Sequence, residues 1–244
     1  MQVEPLVSIV IPLYNYEKYI IDCLLSCVNQ EYKNVEIIVV DDCSTDKSVE
    51  MAQKVHDSRI ILLKHETNKG YSAAKNTGIR RAHGAFIRFL DADDMLTQVG
   101  ISKPVEYMKA HPDIDMVHGI AYKMDGDRAY AQALRKQHKL PFDRRCKIHA
   151  QGVMVERHVF EKYGLFYEQL RSKSDKEMWE RLRICGAKIG QIDSKLAFYR
   201  IHQKSMLAMR NRNKVYDNKI TKMFYDRIEQ IKREGLTKEN TTWL

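Results

Sequence analysis

Acidic residues stand directly after two apolar segments of this 244-residue sequence. Asp41 and Asp42 follow residues 35–40, and the run Asp91-Ala92-Asp93-Asp94 follows residues 85–90. Carboxylates that meet at one edge of a fold repel one another unless a cation or hydrogen-bond donors lie among them. Such oxygen ligands suit Mg²⁺ or Mn²⁺, which also bind ligand phosphates. The pattern predicts a divalent-ion site, and the alternative is that each carboxylate only caps the helix after it.

The segments that position these carboxylates alternate between strand and helix patterns. Apolar β-branched runs predict strands at residues 7–13, 35–40, 59–63 and 85–90. Helical spacing predicts a helix over residues 19–27, one that runs from after residue 46 to residue 56, and one over residues 71–83. This rhythm predicts an α/β fold with a mainly parallel sheet flanked by helices. Because ligands bind at the carboxyl ends of such strands, both acidic clusters are expected at one edge.

The second half of the sequence has a looser pattern. It predicts strands at residues 114–120 and 195–199 and a helix at residues 175–185. A final helix that ends near Gly235 carries an apolar stripe made of Val215, Ile220, Met223, Phe224, Ile228 and Ile231. The stripe can pack on its own domain, pair with a second copy in a homodimer, or lie on a membrane surface.

Composition limits the class of protein. Hydrophobic residues make up 44% of the chain and charged residues 30%, as in soluble globular proteins. No apolar run approaches the roughly 20 residues of a membrane-spanning helix. The N-terminal residues are unlike an export signal, so we expect a cytoplasmic protein. The five cysteines form no Cys-x-x-Cys pair and are expected to be reduced and buried.

Charge is unevenly distributed along the chain. Residues 1–120 carry a net −4, residues 121–199 carry +7 and residues 200–244 carry +6, which gives +9 for the whole chain. This asymmetry indicates cation chemistry in the first half and contact with an anionic partner in the second half. An ordinary solvated basic surface is the alternative.

The common phosphate-binding motifs are absent from the sequence. There is no Gly-x-Gly-x-x-Gly after the first strand and no Gly-x-x-x-x-Gly-Lys-Ser/Thr motif. Their absence argues against dinucleotide oxidoreductases and P-loop NTPases. A bound diphosphate would instead depend on a metal ion and on cations such as Lys75, Arg80 or His202.

Several motifs taken together resemble one enzyme family. They are VSIVIPLYN at residues 7–15, VVDDCSTD at residues 39–46, NKG at residues 68–70 with AAKNTGI at residues 73–79, and FLDADD at residues 89–94. These segments resemble the family 2 glycosyltransferases almost continuously over residues 7–96. The resemblance implies a GT-A fold. It also implies a donor-binding half at residues 1–112, an acceptor-binding and catalytic half at residues 113–205, and a helical tail at residues 206–244.

The resemblance implies a nucleoside pocket in the first half. Pro12, Tyr14 and Asn15 would line this pocket, and Asp42, with or without Asp41, would hydrogen-bond the base. Tyr14 could instead be a core aromatic residue.

The resemblance also implies where the donor diphosphate and the metal bind. Asp91, Ala92 and Asp93 form the Asp-x-Asp motif, with Asp93 as the expected direct metal ligand and Asp94 as the alternative. Lys75 stands where the family has Arg or Lys near the nucleotide. It could instead be a solvated lysine.

Two segments of the second half resemble the same family. The segment SDKEMWERL at residues 174–182 places Asp175 at the position of the catalytic base. The family has Glu where this sequence has Ser174, so Glu177 is the reserve candidate. The segment YRIHQKS at residues 199–205 places His202 where a histidine meets the metal or the diphosphate.

The implied activity is inverting transfer of one sugar, by default from a UDP-sugar, to a saccharide or lipid-linked acceptor. Such an enzyme would serve cell-surface polysaccharide or lipopolysaccharide synthesis with Mn²⁺ or Mg²⁺. The absence of a Gln-x-x-Arg-Trp signature favours one addition per encounter. A basic stretch predicts peripheral contact with an anionic membrane surface, and consists of Arg135, Lys136, Lys139, Arg144, Arg145 and Lys147.

Two other protein classes fit part of the pattern. A nucleotidyltransferase would also present carboxylates and a metal, but residues 7–20 contain no glycine for a phosphate loop. A module that binds nucleic acid would account for the basic half and leave the acidic strand ends unexplained. We therefore expect no nucleic-acid partner.

Overall fold

The computed structural model describes residues 4–126, 132–133, 148, 150–170, 172–202, 214–237 and 241. Within these residues one eight-stranded sheet is covered by helices on both faces. Its strands are β1 Val7–Leu13, β2 Val35–Asp41, β3 Ile60–Lys64, β4 Phe86–Phe89, β5 Met95–Leu96, β6 Met116–Asp125, β7 Val153–Glu156 and β8 Ile189–Ile201. The helices are α1 Ile20–Val28, α2 Ser48–Gln53, α3 Tyr71–Arg81, α4 Ser102–Ala110, α5 His158–Tyr163, α6 Ser174–Ile184 and α7 Lys214–Glu234.

The predicted α/β fold with a mainly parallel sheet is confirmed. Strands β1, β2, β3 and β4 pair in parallel, as do β6 and β8, whereas β7 runs antiparallel to both β4 and β6. Several predicted elements differ from the observed ones by a few residues at their ends, and two examples show the extent. The helix predicted to reach residue 56 ends at Gln53, and the strand predicted at residues 195–199 extends over all of β8. The basic stretch at residues 135–147 lies outside the described residues.

The order of the strands reverses beside β1. The sheet runs β3-β2-β1-β4-β7-β6-β8-β5, so the chain leaves β1 towards β2 on one side while β4 lies on the other. A crevice opens at the carboxyl ends of the strands at such a reversal. Strand β4 pairs with β1 only as far as Val10, so Pro12 lies beyond this pairing. The missing N–H of Pro12 therefore costs no hydrogen bond to β4.

Strand β1 packs against a different layer on each face. Ile9 and Ile11 are buried against α1, whereas Val10 is buried against α3 on the opposite face. Helix α3 approaches the sheet closely because position 78 is glycine. A Cβ atom added to Gly78 would lie only 2.3 Å from Cγ1 of Val10. This close packing fixes the helix that carries Lys75.

The apolar stripe of the final helix packs on its own domain. Ile220, Phe224 and Ile228 are buried in one cluster with Leu170. Within the part of the stripe that the structure describes, Ile220, Phe224, Ile228 and Ile231 are therefore covered by the domain itself, and pairing with a second copy or lying on a membrane is not supported. Among the described helices, none is both long and apolar enough to cross a bilayer.

Candidate active site

Three carboxylates gather directly after β4. Ligand atoms of Asp91, Asp93 and Asp94 all lie within 4.8 Å of one another, and Asp93 and Asp94 are buried. Burial raises the pKa of Asp91 to about 6; Lys75 opposes this shift, and Asp93 adds to it. Burial and the neighbouring carboxylates of Asp93 and Asp91 raise the pKa of Asp94 well above its usual range. The cluster therefore concentrates more negative charge than its surroundings neutralise.

The surrounding protein orients each of these carboxylates. The Tyr71 hydroxyl donates to Oδ1 of Asp91 at 2.6 Å, and Nε2 of Gln151 donates to its Oδ2 at 2.9 Å. A ring nitrogen of His202 lies 2.8 Å from Oδ2 of Asp93. The backbone N–H of Arg200 donates to Oδ1 of Asp94 at 2.8 Å.

One buried oxygen of this cluster supports a cation site. Oδ2 of Asp94 is buried and has no hydrogen-bond partner. A buried unsatisfied carboxylate oxygen is costly, and a divalent cation among the three carboxylates would relieve both this cost and their repulsion. The donors are all hard oxygen atoms, which is the set that Mg²⁺ and Mn²⁺ prefer. These residues therefore fit the predicted metal.

Burial and the nearby carboxylates raise the pKa of two tyrosines around the cluster. Burial raises the pKa of the Tyr16 phenol, and Asp93 and Asp91 raise it further. Burial and then Asp94 raise the pKa of Tyr199 to about 12. Because an ionised phenol is disfavoured in a buried site beside carboxylates, both hydroxyls stay protonated, and that of Tyr16 hydrogen-bonds Asp93.

The predicted nucleoside residues line the other side of the crevice. Pro12 is buried near the end of β1, and Tyr14 just beyond it is 43% exposed, so it is not a core aromatic residue. Oδ1 of Asn15 accepts a hydrogen bond from the N–H of Thr45 at 2.8 Å. Asp41 is buried at the end of β2. The structure brings these residues to one edge, as predicted, and their contacts to a nucleotide stay a prediction.

Asp42 holds the start of α3 in place. It accepts hydrogen bonds from the N–H of Lys69 at 2.8 Å and of Gly70 at 2.7 Å. Its Oδ1 also lies 2.7 Å from Nδ1 of His65. Helix α3 has no local capping side chain, and Gly70 at φ 98° lets the backbone turn towards this carboxylate. Asp42 therefore caps a helix, although not the helix that follows it in sequence.

The predicted catalytic base lies close to the acidic cluster. Asp175 is in the first turn of α6, and its side chain is 26% exposed. Its Oδ1 lies 2.5 Å from Nζ of Lys75, and its Oδ2 lies 3.4 Å from the hydroxyl of Tyr71. Because the same hydroxyl donates to Asp91, one tyrosine links the candidate base to the candidate metal site.

His202 and Arg80, which the sequence also offered as cations for a diphosphate, lie in different places. His202 reaches Asp93 and stacks near Tyr19, with ring centroids 4.7 Å apart. Arg80 is exposed in the last turn of α3. That position is about 13 Å along the helix axis from Tyr71, since each residue rises 1.5 Å. Arg80 therefore does not reach the cluster, and the expectation that it could hold a diphosphate was wrong.

Backbone strain is concentrated at the same edge. Among the described residues, those other than glycine with positive φ are Asn15 at 57°, Cys43 at 64° and Lys173 at 64°. Asn15 is itself a predicted nucleoside residue, Cys43 directly follows Asp42, and Lys173 immediately precedes α6. Such strained conformations cost about 1 to 3 kcal/mol each and cluster at functional sites.

Glu177, the reserve candidate for the base, belongs to a buried ion cluster. Its Oε1 accepts from Nε of Arg181 at 2.9 Å and from Nε of Arg227 at 3.0 Å, and its side chain has no exposed surface. A carboxylate held between two guanidinium groups in the core cannot reach a substrate. The cluster instead joins α7 to α6, the helix that carries Asp175.

Neutralising Glu177 is expected to destabilise the protein. Glu177→Gln leaves the Arg181 and Arg227 guanidinium groups buried without a counter-charge, which costs about 3 to 5 kcal/mol of unfolding free energy. The control is Glu180→Gln on the same helix, which breaks a surface pair with Arg183 and should cost at most about 1 kcal/mol. Urea unfolding measures both, and equal costs would contradict the buried-cluster account.

Sequence reasoning missed several residues that contact the cluster, among them Arg200, whose N–H donates to Asp94. Tyr71 could have been found, because it lies four residues before Lys75 and therefore on the same face of the helix. Tyr16 lies near the end of β1, where ligands are expected, but an aromatic type alone gives no specific signal. Gln151 carries no signal, since only the tertiary fold brings it to Asp91.

Solved structures of other proteins share the fold of this chain. The fold is the GT-A fold, shared with TarS of S. aureus in complex with UDP-GlcNAc at a TM-score of 0.67 and 21% identity, over 83% of this chain and 60% of that one. A mannosyltransferase of Pyrobaculum calidifontis in complex with GDP-Man and Mn²⁺ matches at a TM-score of 0.65 and 21% identity, over 86% of this chain and 61% of that one.

Sequence comparison identifies the family. The model of Glycosyl transferase family 2 matches residues 8–166, which is more than half of the chain, so the protein belongs to this family. An uncharacterized glycosyltransferase of Haemophilus influenzae is 42% identical over 47% of this chain and 46% of its own length. The UDP-Glc:alpha-D-GlcNAc-diphosphoundecaprenol beta-1,3-glucosyltransferase WfaP of Escherichia coli is 28% identical over 89% of this chain and 86% of its own length.

Proposed function

We propose that this protein transfers one sugar from a UDP-sugar to a hydroxyl of a lipid-diphosphate-linked saccharide, with inversion at the anomeric carbon. One observation carries the proposal. The Tyr71 hydroxyl contacts Asp91 of the acidic cluster and Asp175 at once. A donor diphosphate at the cluster would thus lie beside a carboxylate that can take a proton from an acceptor.

The donor side of the proposal rests on the crevice beside β1. Tyr14 offers an exposed ring for a base, and Pro12, Asn15, Asp41 and Asp42 lie around the same strand ends. Asp91, Ala92 and Asp93 would meet the diphosphate together with Mn²⁺ or Mg²⁺, and His202 would add a ligand or a phosphate contact. UDP is favoured because the name of WfaP, which matches most of this chain, specifies UDP-Glc as donor.

The acceptor side of the proposal rests on similarity and on charge. WfaP acts on an α-D-GlcNAc-diphosphoundecaprenol, and a putative teichuronic acid biosynthesis glycosyltransferase, TuaG of Bacillus subtilis, is 29% identical over 93% of this chain. Residues 121–244 carry the positive charge of the chain, which suits a lipid diphosphate at the anionic inner face of a membrane. The role of such an enzyme would be in cell-surface polysaccharide synthesis.

The proposed reaction is a single displacement. An acceptor oxygen forms a bond to the anomeric carbon while the bond from that carbon to the diphosphate oxygen breaks. Asp175 takes the acceptor proton as general base, which contributes about 10²- to 10⁴-fold to the rate. A divalent ion held by Asp91 and Asp93 would act as a Lewis acid for the charge that develops on the diphosphate. Attack from the face opposite the leaving group inverts the anomeric configuration.

A transfer assay tests the proposal. The protein is incubated with UDP-glucose, Mn²⁺ and a synthetic α-D-GlcNAc-diphosphate carrying a lipid tail, and products are examined by mass spectrometry and NMR. We expect one added hexose in the β configuration. UDP-GlcNAc serves as a second donor in a parallel arm. Retention of the α configuration, or no transfer from any UDP-sugar that binds, would contradict the proposal.

A further inference from the structure

We propose that Lys75 is a positioning residue that orients the Asp175 carboxylate, and that it is not a ligand of the nucleotide. The inference rests on the proposed function, in which Asp175 is the general base. Family resemblance alone put Lys75 near the nucleotide, whereas its contacts in the structure lead to Asp175.

The ammonium group of Lys75 lies in a closed cage. It is 4.2 Å from the ring centroid of Tyr71, 4.9 Å from that of Phe166 and 5.1 Å from that of Phe89. The fourth neighbour is Oδ1 of Asp175 at 2.5 Å. Lys75 has no exposed surface. A buried ammonium needs such compensation, and three aromatic faces with one carboxylate supply it.

This cage leaves no path from Lys75 to a bound diphosphate. A phosphate oxygen would have to displace an aromatic ring or the Asp175 carboxylate in order to reach the Nζ atom. The cage also limits the movement of Nζ, because α3 is fixed against the sheet by the close contact between Gly78 and Val10. Lys75 is therefore a fixed charge whose one directly contacting carboxylate, among the residues that the structure describes, is Asp175; its charge also acts on Asp91 without contact.

The two oxygens of Asp175 have different surroundings. Oδ1 faces the caged ammonium, while Oδ2 faces the Tyr71 hydroxyl at 3.4 Å, on the side of the acidic cluster. Lys75 thus anchors one oxygen and turns the other towards the place where donor and acceptor would meet. Holding a base in a reactive geometry supplies part of its effect on the rate, and small displacements lose it.

The first test is the variant Lys75→Met, which keeps an unbranched chain that can pack among the rings. We expect kcat to fall about 10- to 100-fold, because misplacement of a base by about 1 Å has effects of this order. The dissociation constant of UDP with Mn²⁺, measured by calorimetry, should change less than about twofold. The control Lys54→Met removes an exposed lysine directly after α2, which pairs with Glu50 on the surface, and should change neither quantity.

A double-mutant cycle separates positioning from any other role. If Lys75 acts only through Asp175, then Lys75→Met should cost nothing further in an Asp175→Asn background. Lys75→Arg should restore part of the lost kcat, since a guanidinium stacks on aromatic rings and pairs with a carboxylate. If Lys75→Met does not fold, Lys75→Arg is compared with the wild type: a lower kcat at a UDP dissociation constant within about twofold supports positioning, and weaker UDP binding at unchanged kcat overturns it.

The results that would overturn the role of Lys75 differ from those that would overturn the proposed function. The inference fails if Lys75→Met weakens UDP binding at unchanged kcat, if its effect multiplies with that of Asp175→Asn, or if Lys75→Arg is no better than Lys75→Met when both fold. The base assignment itself fails if Asp175→Asn alone retains full turnover, whatever the lysine variants do.

Discussion

Asp175→Asn is expected to reduce turnover by at least about 10²-fold, because the amide cannot accept the proton of the acceptor hydroxyl. Binding of UDP with Mn²⁺ should persist, since the acidic cluster lies in a different element. The amide has nearly the same shape as the carboxylate and can still accept a hydrogen bond from Lys75, but it leaves the buried ammonium without a counter-charge, so some loss of stability is expected. Thermal unfolding of the variant therefore accompanies the assay, which is run below its unfolding temperature. Release of UDP in the presence of acceptor measures turnover, and calorimetry measures binding.

The matched control for this variant is Glu180→Gln, which removes a carboxylate from the same helix on its exposed side. Turnover of the control should equal that of the wild type. If Asp175→Asn and Glu180→Gln were equally active, the general base would have to be another residue. Glu177 would not replace it, because this side chain is enclosed by Arg181 and Arg227.

Asp93→Asn is expected to reduce turnover at least as strongly as Asp175→Asn does, because it weakens binding of the metal ion. A Lewis acid at the leaving diphosphate contributes several kcal/mol, and each 1.4 kcal/mol corresponds to about tenfold in rate. Asp91 and Asp94 remain as ligands, so the concentration of Mn²⁺ that gives half-maximal turnover should rise. Asp175→Asn should leave that concentration unchanged.

The control for the metal variant is Asp113→Asn, which alters an exposed aspartate that pairs with Lys188. Titration of turnover against Mn²⁺ should give the wild-type curve for this control. An unshifted curve for Asp93→Asn would mean that Asp93 is not a metal ligand, and Asp94→Asn would then be the variant to examine.

The first half of the chain could be predicted well because its signals are local. Apolar β-branched segments such as β1 and β2 are buried on both faces, as parallel strands are, and their ends carry the functional residues. Pro12, Tyr14 and Asp91 could therefore be placed at one edge from sequence order alone. The limits of β8 were less predictable, since its first residues alternate irregularly between buried and exposed.

The contacts within the site could not be predicted because they join distant parts of the chain. Lys75 and Asp175 are 100 residues apart, and nothing in either segment indicates that they meet. The cage around Lys75 takes Phe166 from a loop before α6 and Phe89 from β4, so only the assembled core encloses the ammonium. Asp42 was assigned to the base by resemblance, and its bonds to the turn before α3 became visible only in the structure.

We propose that Asp91, Asp93 and Asp94 hold a divalent ion through which the protein binds a nucleoside diphosphate. Calorimetric titration of the wild-type protein with UDP, once with Mn²⁺ and once with EDTA, measures whether binding depends on the ion. We expect saturable binding with Mn²⁺ and an affinity lower by at least about tenfold with EDTA, which corresponds to about 1.4 kcal/mol of binding free energy. Equal affinity for UDP under the two conditions would show that the three carboxylates do not bind the nucleotide through a metal.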